Sequence, residues 1–256
     1  MVVAAIAGGV LAGLTLGVDP VGLEAGDNPV YDKWLMAWGL PLQALLLGLL
    51  VWWVLARLDV DPRRELALGA GARWWAVALV VPAGLVADRV SGMVQGLLPE
   101  GDLGSLEQLA TLPGTPGGLG VLLFLGLVVF GPVGEELLFR GLVLRGLLAD
   151  GSGARAVVIS ALVFGLFHID LAHVAGAFVL GLYLGWVRLF TGSLLVAVAA
   201  HVANNGIWFL LVALGRSTAT TPWWADGIGL LVVVGVVWTT RDALSNFSGG
   251  PDPADG

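Results

Sequence analysis

The chain reads as an all-α, polytopic membrane helix bundle with about eight transmembrane helices, and three observations say so. Hydrophobic residues fill 57% of its 256 positions and charged residues only 12%, against roughly 25% charge in soluble domains. Mean hydropathy is +0.91. The apolar residues also gather into eight segments, each close to the roughly 20 residues that a helix needs to cross a hydrocarbon core. The 39 glycines sit within these apolar runs, where a missing side chain lets helices approach closely in lipid.

The segments are 2–18, 34–56, 74–98, 119–139, 156–172, 174–189, 193–214 and 223–239. The first has no basic residue ahead of it and no clear small-x-small cleavage pattern, so it reads as a retained helix rather than a signal peptide. Trp34, Trp38, Trp52, Trp53, Trp74, Trp75, Trp223, Trp224 and Trp238 all lie near segment ends, where amphipathic rings prefer the membrane interface. Residues 1–242 form a single membrane-embedded bundle with no internal repeat. Residues 99–118 read as an external loop and 243–256, rich in Gly, Pro and Asp, as a disordered tail.

Loop charge sets the expected orientation. Arg57, Arg63, Arg64 and Arg73 share one loop, and Arg140, Arg145 and Arg155 surround a second. Arg188 marks a third and Arg241 follows the last segment, whereas the loops at 19–33 and 99–118 are acidic. Arginine thus alternates with acid, which places both termini in the cytoplasm of a cell-membrane protein. Arg216 and Arg89 depart from the pattern, and Arg89 has Asp88 beside it as a candidate partner. The net charge of −7 argues against a nucleic-acid partner. There is no cysteine, which excludes disulfides, thiol catalysis and thiolate metal sites.

The chemistry gathers in 119–214. Residues 108–134 carry no charge, and then Glu135, Glu136 and Arg140 fall within six positions. A charge inside a bilayer costs about 2.5–3.5 kcal/mol on insertion scales, so such groups need partners or a purpose. Glu136 and Arg140, four apart, share a helix face and can pair; Glu135 points about 100° away. Depth brings other groups to meet it. Glu135 is ten residues from Arg145, about 15 Å at about 1.5 Å per residue. By the same measure His168 lies about 20 Å beyond Arg155 and His201 about 14 Å beyond Gly192. Glu135, His168 and His201 are therefore expected around one cavity. His201 and Asn205, four apart, face the same way, while Asn204 faces elsewhere and reads as structural. His173, three residues from Asp170 in a short external turn, also reads as structural.

A carboxylate, two imidazoles and an amide suit hydrolysis: the carboxylate activates water, an imidazole orients it, and amide donors hold the oxyanion. Glu135, His168 and His201 equally match the ligand set of a catalytic zinc with one position open for water. Residue types alone do not separate the two. Pro132, one turn before Glu135, either kinks its helix or opens space for water beside the site.

Glu135-Glu136-Leu-Leu-Phe-Arg140 resembles the EExxxR motif of the CPBP family, the CAAX proteases and bacteriocin-processing (Abi) membrane proteins. Phe164-Gly-Leu-Phe-His168 is similar to its FxxxH motif and His201-Val-Ala-Asn-Asn205 to its HxxxN motif, in the family's order along the chain. The resemblance covers 119–214 and implies an intramembrane endopeptidase acting on a membrane-associated peptide or a lipidated protein. It assigns water activation to Glu135 and His168 and the oxyanion hole to His201 and Asn205; Glu136 and Arg140, by their spacing, read as a supporting ion pair. It also carries both a zinc-dependent and a metal-free glutamate chemistry. A transporter or channel with a Glu/His proton relay is the alternative, as is a non-catalytic immunity or scaffold protein. Other membrane proteases fail on residues: there is no His-Glu-x-x-His, no Gly-x-Gly-Asp, and no Gly-x-Ser-x-Gly around Ser160 or Ser193.

Overall fold

In lipid no water satisfies the backbone, so each crossing segment must bond to itself as a helix. The computed structural model describes residues 2–17, 28–68, 73–98, 110–149, 152–216 and 222–240, and among these no strand occurs. Eight apolar helices follow in order: α1 Val2–Leu16, α2 Pro29–Leu58, α3 Trp74–Gln95, α4 Gly117–Leu148, α5 Gly153–Leu166, α6 Leu171–Thr191, α7 Leu194–Ala213 and α8 Trp223–Thr239. Five of them (α2, α3, α4, α6 and α7) are long and apolar enough to cross a membrane. The expected tail 243–256, Arg241, and most of the loops at 19–33 and 99–118 lie outside the described residues.

Local chemistry sets the helix ends. Asn28 Oδ1 accepts from the N–H groups of Val30 and Tyr31 at the head of α2, with Pro29 as its first residue, a cap worth about 1 kcal/mol. Asp170 Oδ1 accepts from the His173 N–H at 2.9 Å and starts α6. Gly192, at φ 68°, ends α6 in the left-handed conformation with its N–H on Arg188 O, the conformation glycine adopts without strain.

α6 is the centre. Gly181, Tyr183, Leu184, Gly185, Trp186, Val187, Arg188 and Leu189 are all buried along it, as expected of a helix covered on every side. Small residues bring it against α5: a Cβ on Gly181 would stand 3.1 Å from Ala161 Cα, and one on Gly185 2.9 Å from Val157 Cγ1. α6 also packs on α3, α1 on α2, α8 on α3, and α4 against both α2 and α7. The arginine-bearing turns meet at one end: Arg145 Nε pairs with Glu65, and Arg73 donates to Phe190 O.

The helices differ from expectation in two instructive places. α4 was expected to end near residue 139 but runs to Leu148, because Glu135, Glu136 and Arg140 are buried against other helices and mark no boundary with water. α5 was expected to reach 172 but stops at Leu166, so His168 sits in a turn rather than on a helix. Ile169 there has φ 69°, an uncommon conformation for a β-branched residue. Arg89, for which Asp88 was the candidate partner, also reaches across to α8: Nε and Nη2 donate to Asp226 Oδ2 at 2.7 and 2.6 Å.

Candidate active site

The site begins with an irregularity in α4. Residues Leu125–Phe130 and Leu137–Val143 are π-helical, and the α-helical turn Gly131–Glu136 lies between them. Single widened turns of this kind occur often at functional sites. The first has a local cause. A proline ring inside a helix collides with the carbonyl four residues back, and Pro132 stands at the start of the α turn. Widening the turn relieves that contact, and the Gly131 N–H bonds to Gly126 O, five residues back. Gly134 then lets α2 close in beside the motif: a Cβ there would be 2.7 Å from Ala44 Cα.

Glu136 is wholly buried. Its Oε1 accepts from Arg140 Nη1 at 2.9 Å and from His201 Nδ1 at 2.9 Å. The i,i+4 pair was legible in the sequence, but the bond to His201, 65 residues away, was not. Arg140 donates Nη2 to Gly181 O at 3.1 Å, and its guanidinium sits 4.5 Å from the Phe164 ring centroid. Both motif imidazoles make T-shaped contacts with that ring, His168 at 5.0 Å and His201 at 5.7 Å between centroids. Phe164, the first residue of Phe-x-x-x-His, is thus a common floor for Arg140, His168 and His201.

These contacts settle the ring nitrogens. Glu136 already accepts from Arg140 and is a carboxylate, so His201 Nδ1 bears a proton and Nε2 faces outward. His201 Nε2 lies 3.9 Å from Glu135 Oε2, facing it but beyond hydrogen-bond range. His168 Nδ1 donates to Phe164 O at 2.9 Å, which leaves its Nε2 lone pair free. Glu135 makes no hydrogen bond among the described residues. His173 is the neighbour that the sequence placed apart: its ring lies 4.3 Å from that of His168, and no spacing signal pointed there.

Asn205 donates Nδ2 to Leu127 O at 2.9 Å and accepts on Oδ1 from Asn204 Nδ2 at 3.2 Å. The structure thus places Glu135, His201 and the Glu136–Arg140 pair together, with His168 joined to them through Phe164. Ser160, set aside for want of a motif, donates to Phe139 O within the second π stretch, a packing role.

A catalytic zinc needs three protein donors about 2.0–2.2 Å from one point. Glu135 Oε2 and His201 Nε2 approach that requirement as a pair. Among the described residues, however, no three His, Asp or Glu side chains gather closely enough to hold a metal, so Glu135, His168 and His201 in this arrangement do not fit the ion.

With the geometry in view, residues 117–207 match the family model Rce1-like, described as type II CAAX prenyl endopeptidase Rce1-like. The match spans all three motifs and bears out the likeness to the CAAX-protease family that they carry. No curated protein and no solved structure matches the chain.

Proposed function

We propose, with CAAX-protease family likeness as the premise, that this multi-pass membrane protein is an intramembrane endopeptidase using a glutamate-activated water. The observation that carries the reading is the contrast at His201: Nδ1 is held by Glu136, and Nε2 faces the unbonded carboxylate of Glu135. In this reading Glu135 takes a proton from water as the oxygen attacks the scissile carbonyl, while His168 Nε2 accepts a hydrogen bond from that water and aims it. The carbonyl oxygen becomes an oxyanion opposite His201 and Asn205. With Nδ1–H given to Glu136, His201 donates through Nε2 as an imidazolium. In that state the buried quartet Glu135, Glu136, Arg140 and His201 carries no net charge. Glu135 then returns its proton to the leaving amine as the C–N bond breaks.

The substrate class is a membrane-associated peptide or lipidated protein chain, because the reacting groups sit within a bundle that only a bilayer-bound chain reaches directly. The end where Arg73, Arg145 and Arg188 gather faces the cytoplasm in this reading. Since the chain has no cysteine, single cysteines placed at residues 61 and 215 report it: labelling of position 215 but not 61 from the cytoplasmic side would reverse the orientation.

A fluorogenic peptide assay in detergent tests the chemistry. Wild-type protein should cleave, and Glu135→Ala and His168→Ala should not, with folding intact in both. Cleavage that survives in both variants would remove these residues from the mechanism. Exhaustive chelation with elemental analysis is the second arm. Activity should persist without bound metal, and its loss with recovery on adding zinc would overturn the metal-free reading. A proton relay would instead give proton flux in vesicles without hydrolysis.

A further inference from the structure

The helix that carries Glu135 leaves one backbone acceptor without its regular donor. The Gly131 N–H reaches Gly126 O, five residues back. In that register the next carbonyl, of Leu127, is due the N–H of residue 132, and residue 132 is a proline, which has none. A carbonyl left unbonded away from water costs about 1–3 kcal/mol, so a donor must come from elsewhere. It comes from α7: Asn205 Nδ2 donates to Leu127 O at 2.9 Å.

The same amide is held on its other side. Asn205 Oδ1 accepts from Asn204 Nδ2 at 3.2 Å. Asn204 in turn points its Oδ1 at Gly84 of α3, close enough that a Cβ there would stand 2.7 Å from it. An asparagine amide is planar, and its terminal torsion is otherwise broad. With one N–H on Leu127 O and the oxygen on Asn204, the direction of the second N–H is fixed.

We propose that Pro132 is a positioning residue for Asn205: by withdrawing the backbone donor from Leu127 O it makes that carbonyl the anchor of the amide, and so aims the free Asn205 N–H at the scissile carbonyl oxygen. The inference rests on the protease reading only for the target of that N–H; the anchor itself is independent of it. A donor held in place beforehand needs no reorganisation as charge develops, and loss of one such donor costs about 10²–10³ in kcat. Pro132 differs here from a proline that merely bends a helix. A bend would make no energetic link between residue 132 on α4 and residue 205 on α7.

A double-mutant cycle of Pro132→Ala, Asn205→Ala and both together measures that link. The Pro132→Ala substitution supplies an N–H that takes the Leu127 carbonyl. Asn205→Ala should therefore lower the melting temperature by about 2–4 °C in the wild-type background, and by less than half of that in the Pro132→Ala background. Additive melting shifts would overturn the proposal whether or not the protein is a protease. In peptide cleavage, Pro132→Ala should lower kcat by about tenfold or more with KM unchanged, and the double variant should be no slower than Asn205→Ala alone. Wild-type kcat in Pro132→Ala beside a strong loss in Asn205→Ala would overturn the positioning role. A wild-type protein that cleaves nothing, yet shows coupled melting shifts, would instead defeat the protease reading and leave the anchor supported.

Discussion

Glu135 and Glu136 are neighbours with the same side chain and opposite circumstances. Glu136 is shut away from solvent and gives one oxygen to both Arg140 and His201. Glu135, about 100° round the helix, keeps 12% of its side chain exposed and faces His201 Nε2 at 3.9 Å without bonding it. The difference separates two tasks that one carboxylate cannot perform together. A group that orients others must itself be held by hydrogen bonds, whereas a group that gains and loses a proton must be left room to exchange it. The rest of the site divides the same way: Arg140 and the Phe164 ring belong to the fixed half, and the free Nε2 of His168 to the exchanging half.

The comparison is broken most directly at Glu135. Glu135→Gln keeps the size and removes the base, so peptide cleavage should fall by about 10²–10⁴-fold, while the melting temperature stays where it was because no hydrogen bond is lost. Glu136→Gln should do the reverse in kind, lowering the melting temperature along with activity as Arg140 and His201 lose their shared carboxylate. Equal melting losses from the two substitutions would mean that Glu135 is also structural.

Arg140 sharpens the fixed half. Arg140→Ala takes the guanidinium away from the buried Glu136 carboxylate and the side-chain donor away from Gly181 O. Removing one member of a buried pair costs about 3–5 kcal/mol, and a thermal melt in detergent should show it as a large downward shift. An unchanged melting curve would mean that the pair contributes nothing. The cost arises because Glu136 has no route to water, not because the pair is strong in itself.

Much of this was readable in the chain, for stated physical reasons. Helix number follows from apolar segment length, because a bilayer leaves the backbone no other solution. The Glu136–Arg140 pair follows from helical periodicity. What escaped was everything that depends on one helix meeting another. Glu136 to His201, Asn205 to Leu127 O and Arg89 to Asp226 span 65, 78 and 137 positions, and no spacing rule reaches that far. The helix ends at 148 and 166 escaped for a related reason, since burial by neighbouring helices let charge continue one and a strained turn closed the other. Pro132 lay between: its missing N–H is plain in the sequence, but which carbonyl it releases depends on the π register.

His173 is the finest test of the division. Its ring packs at 4.3 Å against His168, tilted by 51°, while its backbone N–H is taken by Asp170. Ring pairs of this kind are worth about 0.5–1.5 kcal/mol, so losing the contact should let His168 turn and cost at most about tenfold in kcat. Two substitutions separate packing from chemistry. His173→Ala removes the ring and should slow cleavage by about that factor, whereas His173→Phe keeps a ring without nitrogens and should restore most of the rate. Rescue by phenylalanine would place His173 with the fixed groups, as a wall behind His168. Failure of phenylalanine where histidine works would move it across, because phenylalanine lacks the imidazole nitrogens.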